Sequence, residues 1–398
     1  MKVLIVTPHF YPESFKCNDM AFELQRRGYD VSVMTAIPDY PAGKFFDGYG
    51  VFKKRRETVN GVKIHRSLIF PRHNGRGRYL ALNYLSYTFF ATLKSLWFSI
   101  TKKYDLVLIH ETSPVTVGIP ATIISKVQKI PQIMWVLDLW PESLTAAGGI
   151  NNKSILNVFK SITNWLYRNS KTILIGSRGF RTSINNIGDY DKKIIDFPYW
   201  VDDVEPSSEN VPEFPDGFNV LFTGNMGEAQ DFNNVLAAAE ILDRKSDINF
   251  IFVGDGRKKV WIENYIRDKK IQNVYCLGRY PLSTMQEFYN RADVLFLSLN
   301  SSPVFSLTVP GKLQSYMASG KPVVAMINGE GRDLLKEADC GWSVPAAHPA
   351  ELADLLLRIS KEDKAILDRK GQNGKEYSEQ HYKFNKCIDK LEEIFKSI

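Results

Sequence analysis

The sequence predicts an α/β protein made of two Rossmann-like, doubly wound domains facing across a cleft. Three observations carry this expectation. The chain has 398 residues, 44% hydrophobic and 24% charged, which describes a globular protein too long for one ordinary core. It opens as strand, loop, helix, strand. A Pro-rich stretch near residue 200 then interrupts the alternation, and afterwards the pattern starts again.

In the first half, Lys2–Val6 (KVLIV) reads as a parallel strand buried on both faces, because such strands are continuous apolar runs. A loop, Thr7 to Glu13, leads into an amphipathic helix near Asn18–Arg27 that stops at Gly28. Asp30–Thr35 is the second strand and Val62–Arg66 a third. No G-x-G-x-x-G follows the first strand, which argues against a dinucleotide cofactor. Asp105–Ile109 is a strand that feeds His110-Glu111-Thr112-Ser113-Pro114. The helix Thr116–Lys129 and the strand Gln132–Leu137 follow. That strand feeds Asp138-Leu139-Trp140-Pro141-Glu142-Ser143. Both polar clusters fall at carboxyl ends of strands, where open α/β sheets bind ligands. His110 reads equally as a satisfied buried histidine, and Asp138 as a helix cap. Phe159–Lys171, the strand Thr172–Ile175 and a helix capped by Ser177 complete this half.

Between strands, Arg66, Arg72, His73, Arg76 and Arg78 precede Tyr79–Ile100, an apolar and aromatic run broken by Asn83 and Lys94. Three readings stand. It is a buried helix, a basic and aromatic surface that docks on anionic lipid, or a membrane span. A span is disfavoured, since a lysine near its centre costs roughly 2.5–3.5 kcal/mol.

Phe197–Gly217 holds four prolines together with acids and serines and reads as a linker. We therefore place an N-terminal domain over 1–200, a linker over 201–217, and a C-terminal domain over 218–375. A final helical segment, 376–398, is a candidate to pack back on the first domain. In the second half, Asn219–Thr223 is a strand ending in the tight turn Gly224-Asn225-Met226-Gly227. Asp231 caps the helix Phe232–Lys245. Ile248–Val253 ends in Gly254-Asp255-Gly256, and Val274–Leu277 in Gly278-Arg279. Asp293–Ser298 is the next strand.

Formal net charge is +7, which points to an anionic partner: nucleotide phosphates, a pyrophosphate lipid, an acidic membrane or nucleic acid. The cations are spread rather than gathered into an aromatic-interleaved motif, so nucleic acid is set aside. The four cysteines have no metal-ligand spacing and read as reduced thiols. The first residues lack the pattern of a signal peptide. A cytoplasmic protein, peripheral at the inner face of the cytoplasmic membrane, is expected.

The stretch Leu299 to Ala325 organises the second half. Leu313, Tyr316 and Met317 share a helix face, Gly320 sits where a C-cap is expected, and Pro310 and Gly311 stand at the helix start. Backbone N–H groups there, with Lys312, make a plausible seat for a diphosphate.

TVPGKLQSYMASGKPVV resembles the donor segment of retaining GT-B glycosyltransferases of family 4. The resemblance is nearest to the bacterial O-antigen and capsule branch typified by N-acetylfucosaminyl transferases. It runs over essentially the whole chain through PHFYPESF, HETSPVTVG, WVLDLWPESL, LFTGNMGEAQDF, FVGDG and ADVLFLSLN. It implies a GT-B fold with an N-terminal acceptor domain and a C-terminal domain that binds a UDP-sugar. The implied acceptor is a glycan on a polyprenyl diphosphate lipid. The implied transfer retains configuration and needs no metal or other cofactor. The resemblance places Gly224, Asn225, Gly227 and Gln230 along the diphosphate, with Lys312 compensating its charge and Pro310 and Gly311 beside it. Gly254 and Gly256 permit close approach of the nucleotide, Arg279 flanks the base, and Asp138, Glu142 and His110 face the acceptor and reacting sugar.

Two glutamates that many members carry eight residues apart are replaced here by Ser315 and, approximately, Leu307. Ser315 has one neutral hydroxyl. Loss of a charged bidentate partner weakens binding by roughly 1.5–3 kcal/mol unless another group substitutes. Leu307 suggests a less polar sugar pocket suited to a 6-deoxy or N-acetylated sugar. Two other readings compete with transfer: a sugar-nucleotide epimerase, and a non-catalytic sugar-nucleotide-binding partner subunit.

Overall fold

The computed structural model describes all residues except 74, 76, 147–148 and 204–209. Arg76 and part of the expected linker therefore lie outside the described residues. The chain divides into two compact units: Met1–Pro198 with Ile388–Ile398, and Tyr199–Cys387.

Unit 1 is built on an eight-stranded sheet in the order β3-β4-β2-β1-β5-β6-β7-β8. The strands are β1 (Lys2–Val6), β2 (Asp30–Ala36), β3 (Arg56–Val59), β4 (Val62–Ser67), β5 (Leu106–Glu111), β6 (Gln132–Val136), β7 (Thr172–Ile175) and β8 (Ile194–Asp196). All neighbours run parallel except β3 and β4, which form a hairpin. Its turn is Asn60-Gly61, with φ of 48° and 83°. Two successive positive φ values match the right-handed twist of the strands, and Asn-Gly tolerates them best. Val3, Leu4, Ile5 and Val6 are fully buried, as expected for a strand covered by helices on both faces. Of the final segment expected over 376–398, only Ile388–Ile398 belongs to this unit, where the Arg27 guanidinium reaches Asp389 at 2.5 Å and Glu392 at 2.6 Å; residues 376–387 belong to unit 2.

Unit 2 has a six-stranded sheet, all parallel, in the order β11-β10-β9-β12-β13-β14. The strands are β9 (Phe218–Asn225), β10 (Ile248–Asp255), β11 (Val274–Gly278), β12 (Val294–Ser298), β13 (Val323–Met326) and β14 (Gly341–Val344). The strand order reverses between β9 and β12, the switch point where a crevice opens at the carboxyl ends. Their pairing covers only Val220–Val294 and Leu221–Leu295, so the strands part beyond Leu221.

Several local expectations need correction. The helix expected from Ser177 begins at Phe180 after Gly179, without a side-chain cap. Asp231 precedes its helix but does not cap it. Its φ of 46° is left-handed, and its carboxylate accepts from the Asn234 amide instead. The basic cluster before Tyr79 is divided: Arg66 and Arg72 are internal, whereas His73 and Arg78 are exposed. Arg66 is fully buried against Glu57 at 2.5 Å, and Arg72 is buried beside Asp39. The apolar run itself forms a helix, α1 (Gly77–Thr101), half-buried rather than enclosed. No described helix is long and apolar enough to cross a membrane.

Candidate functional site

In unit 2 the site grows from the end of β9. The helix Gly311–Ala318 packs Leu313, Tyr316 and Met317 into the core, each fully buried. Where β9 and β12 part, the Thr223 N–H is taken by the Tyr316 hydroxyl at 2.9 Å. Lys312 lies four residues before Tyr316, on the same helix face. That bond therefore sets the lysine over the strand end. Its Nζ stands 3.9 Å from the centroid of the Phe222 ring. A Cβ on Gly224 would meet Lys312 Cε at 2.8 Å, so the glycine leaves room for the stem.

Lys312 Nζ is buried and has no hydrogen-bond partner among the described residues. Burial lowers its pKa from 10.5 to about 7. A cationic donor without an acceptor is costly to bury, and a phosphate oxygen beside it would relieve that cost and restore the proton. The helix above it starts at Pro310 and Gly311 without a side-chain cap, which adds a favourable dipole for an anion.

The flanking loops are tied to each other. Gln230 Oε1 accepts from the Gly227 N–H at 3.0 Å and closes the turn. Ser298 Oγ donates to the Gln230 carbonyl, and Met226 N–H donates to the Asp255 carbonyl at 2.8 Å. Asn225 is exposed at the rim, with its amide beside Gly227. Gly254 and Gly256 have a requirement the sequence did not reveal. A Cβ on Gly254 would lie 1.9 Å from the Gly224 carbonyl oxygen, and one on Gly256 2.4 Å from that of Met226. Their φ values, 149° and 156°, add to this. These glycines let two loops touch, so protein backbone is what approaches them.

Arg279 follows the edge strand β11, two strands away from β9, and is exposed. Ser315 turns its hydroxyl onto the Gly311 carbonyl at 3.3 Å. It also lines a cavity of about 430 Å³ with Leu282, Met285, Tyr289, Ser319 and Tyr382. Leu307 is half-buried after the short helix Pro303–Ser306.

In unit 1 the strand-end groups are acidic. Asp138 accepts from Ser113 Oγ at 2.6 Å and from Ser143 Oγ. Ser113 also accepts from the Trp140 indole at 3.1 Å and holds a left-handed φ of 125°, which is strained for a residue with a Cβ. The cap reading of Asp138 is therefore replaced by a serine-bound carboxylate. Burial raises its pKa, against the hydrogen bonds from Ser113 and Ser143. Glu111, at the end of β5, is fully buried; burial and then the charge of Asp138 push its carboxyl well above the usual range. One of its oxygens accepts from the Asp138 N–H at 3.3 Å, and the other has no partner among the described residues. Glu142 accepts from Ser183 Oγ.

His110 is fully enclosed. Its Nδ1 meets Thr7 Oγ1 at 3.1 Å, and burial lowers its pKa to about 3, so it is neutral. That matches the satisfied core histidine of the two readings. His9, Glu13 and Asp39 form one cluster with metal-ligand chemistry. Arg72 already supplies a cation there, at 3.2 Å from His9 Nε2 and 3.6 Å from Asp39.

Comparison with known proteins now bears on this geometry. Residues 217–362 match the family model described as glycosyl transferases group 1. The matched residues lie within the second unit. The chain is similar to the protein of Pseudomonas aeruginosa named "Probable glycosyltransferase WbjE". The two are 24% identical over 309 residues, 75% of this chain and 76% of WbjE. It is also 24% identical over 145 residues to the amylovoran biosynthesis glycosyltransferase AmsK of Erwinia amylovora, 36% of each chain. Among solved structures, Anabaena HepE in complex with UDP-glucose superposes with a TM-score of 0.68 at 15% identity, over 100% of both chains. This last likeness shows that the fold is GT-B.

Within the second unit, sequence reasoning singled out Lys312 but missed Phe222 and Tyr316 as its supports. In unit 1 it quoted Glu111 without weighing it. A charged residue ending the apolar run LVLIHE was the available signal.

Proposed function

We propose that the chain transfers a sugar from a UDP-sugar to a lipid-linked glycan at the inner face of the cytoplasmic membrane, in surface polysaccharide biosynthesis. The observation that carries this reading is the buried, acceptorless ammonium of Lys312 at the switch point of a group 1 glycosyltransferase domain. Leaving diphosphate gains negative charge as the glycosidic bond breaks. A preorganised cation in a dry site stabilises that charge without solvent reorganisation. The reading extends to retention of configuration and to independence from metal, since Lys312 and the helix start supply the positive charge. WbjE and AmsK are glycosyltransferases by name, and AmsK belongs to a polysaccharide pathway, which supports the assignment. HepE was solved with UDP-glucose, which supports a uridine nucleotide. Membership of family 4 and of the N-acetylfucosaminyl branch is the finer form of this proposal. Leu307 in the donor segment favours an N-acetylated or 6-deoxy sugar, and a donor screen preferring a fully hydroxylated hexose would refute that part.

Calorimetric titration with UDP and with GDP, without added metal, tests the site. Micromolar UDP binding is expected, abolished by Lys312→Ala. At pH 8 binding should take up close to one proton, because Lys312 is mostly neutral alone and charged beside a diphosphate; buffers of different ionisation enthalpy read this directly. One observation favours a second reading. Ser315, in place of a glutamate, spends its hydroxyl on Gly311. UDP-sugar binding without turnover on any lipid-linked acceptor would establish a non-catalytic partner subunit, and free isomerised sugar nucleotide would establish an epimerase.

A further inference from the structure

Helix α1 packs inside out. Its buried side is mostly small or polar: Asn83, Ser86, Ala91, Ser95 and Ser99, with Tyr87 and Phe98. Its outer side carries Leu82, Leu85, Phe89, Leu93, Leu96 and Ile100, three or four residues apart, and all are exposed. Leu85 is 64% exposed, Phe89 58% and Ile100 79%. Trp97 lies beside them. A helix that meets only water and its own core has the opposite arrangement. A contiguous exposed apolar stripe of this length marks a contact surface.

A second feature adjoins it. Arg55 and Lys94 both donate to the Arg66 carbonyl, and the Arg56 guanidinium lies 5.3 Å from the Trp97 ring centroid. The segment 51–56 therefore rests against the helix. Its sequence is VFKKRR: Phe52 is 97% exposed, and four consecutive cations follow it. The stretch 77–103 contains no Asp or Glu and ends in Lys102-Lys103. Positive charge thus adjoins the C-terminal half of the apolar stripe.

We propose that this face of unit 1 docks on an anionic lipid surface, with the helix lying in the plane of the bilayer. The stripe and Phe52 enter the boundary between headgroups and acyl chains. Lys53, Lys54 and Arg56 meet lipid phosphates. Trp97 has an amphipathic ring suited to that depth. Lys94, the residue that argued against a span, is turned inward onto the Arg66 carbonyl and does not interrupt the stripe. A second copy of the chain fits less well. It would bring like charges together with no acid on 77–103 to pair them. The proposal gives the lipid-linked acceptor reading its contact surface, yet its test uses no nucleotide sugar, so either can fail alone.

The test is co-sedimentation of the full chain with vesicles, phosphatidylglycerol-rich or pure phosphatidylcholine. At about 0.1 M salt the phosphatidylglycerol vesicles should bind at least tenfold better. Leu85→Glu with Phe89→Glu should weaken partitioning about a hundredfold, by removing apolar burial at positions that are exposed in the folded chain. Phe52→Ser with Lys53→Gln and Lys54→Gln should weaken it about tenfold and flatten its salt dependence. Circular dichroism melts unchanged from the parent show that both variants fold. Absence of binding to anionic vesicles, or equal binding by parent and the double glutamate variant, would overturn the proposal. A concentration-dependent dimer that Leu85→Glu with Phe89→Glu abolishes, without vesicle binding, would overturn it in favour of a second copy.

Discussion

Lys94 in unit 1 and Lys312 in unit 2 are perturbed alike and placed differently. Burial lowers both from 10.5 to about 7. Lys94 gives its ammonium to the Arg66 carbonyl, and the charges of Arg55, Arg56 and Arg66 add to its shift. Lys312 has burial as its only cause, a phenyl ring at 3.9 Å, and no acceptor among the described residues. A shifted pKa therefore does not by itself mark a binding site. An ammonium that the protein has desolvated without pairing does, because only an incoming anion repays that arrangement.

The largest expected effect separates these two residues. Lys312→Ala should cut sugar transfer by about 10²–10³-fold, the range for losing one preorganised charge-stabilising group, while Lys94→Met should change it less than tenfold. Equal losses would dissolve the comparison. The pH dependence of stability sharpens it. The folded chain holds the Lys312 proton less tightly than the unfolded chain, so its charge destabilises the fold fully below about pH 7 and not at all above about pH 10.5. Lys312→Met should therefore melt higher than the parent at pH 6, with the advantage fading by pH 10.

Next in size is Gly254→Ala, expected to cost roughly 2–4 kcal/mol in denaturant unfolding. Its Cβ would collide with the Gly224 carbonyl, and φ is left-handed. UDP affinity should fall with it, because the Gly224 loop borders Lys312.

The acidic cluster of unit 1 supplies a milder test. Glu111 keeps its proton more tightly folded than unfolded, so its contribution to stability is complete below pH 4.5 and declines as pH rises toward the raised folded value. Glu111→Gln, neutral at every pH, should flatten that decline in melts from pH 5 to 9. A parallel decline in the variant would assign it to other groups. The smallest effect is Tyr316→Phe, about 1 kcal/mol for one buried hydrogen bond to the Thr223 backbone, with a modest loss of UDP affinity as the helix loosens.

Much of the fold was legible. Runs such as KVLIV and INFIFV announce parallel strands because both faces of such strands are covered. The hairpin of β3 and β4 was legible too, in Asn60-Gly61, although the reading that began at Val62 stopped short of it. Lys312 stood out by its place after Pro310 and Gly311. Other features were not available from residue patterns. The stripe on α1 shows that the helix has an apolar face, but periodicity carries no information about which face turns inward. Arg66 and Arg72 looked like surface cations because charge in a sequence does not report burial.

The sequence by itself determined the alternation of strand and helix, the restart after residue 217, and the residues gathered at the strand ends. These follow from local propensity and from the periods of two and 3.6 that any apolar pattern imposes. Only the tertiary structure decided that Lys312 is desolvated over Phe222, that Glu111 shares its environment with Asp138, and that Gly254 yields its space to a carbonyl. Desolvation and close approach depend on atoms brought from distant strands, and no local pattern in the chain encodes their distance.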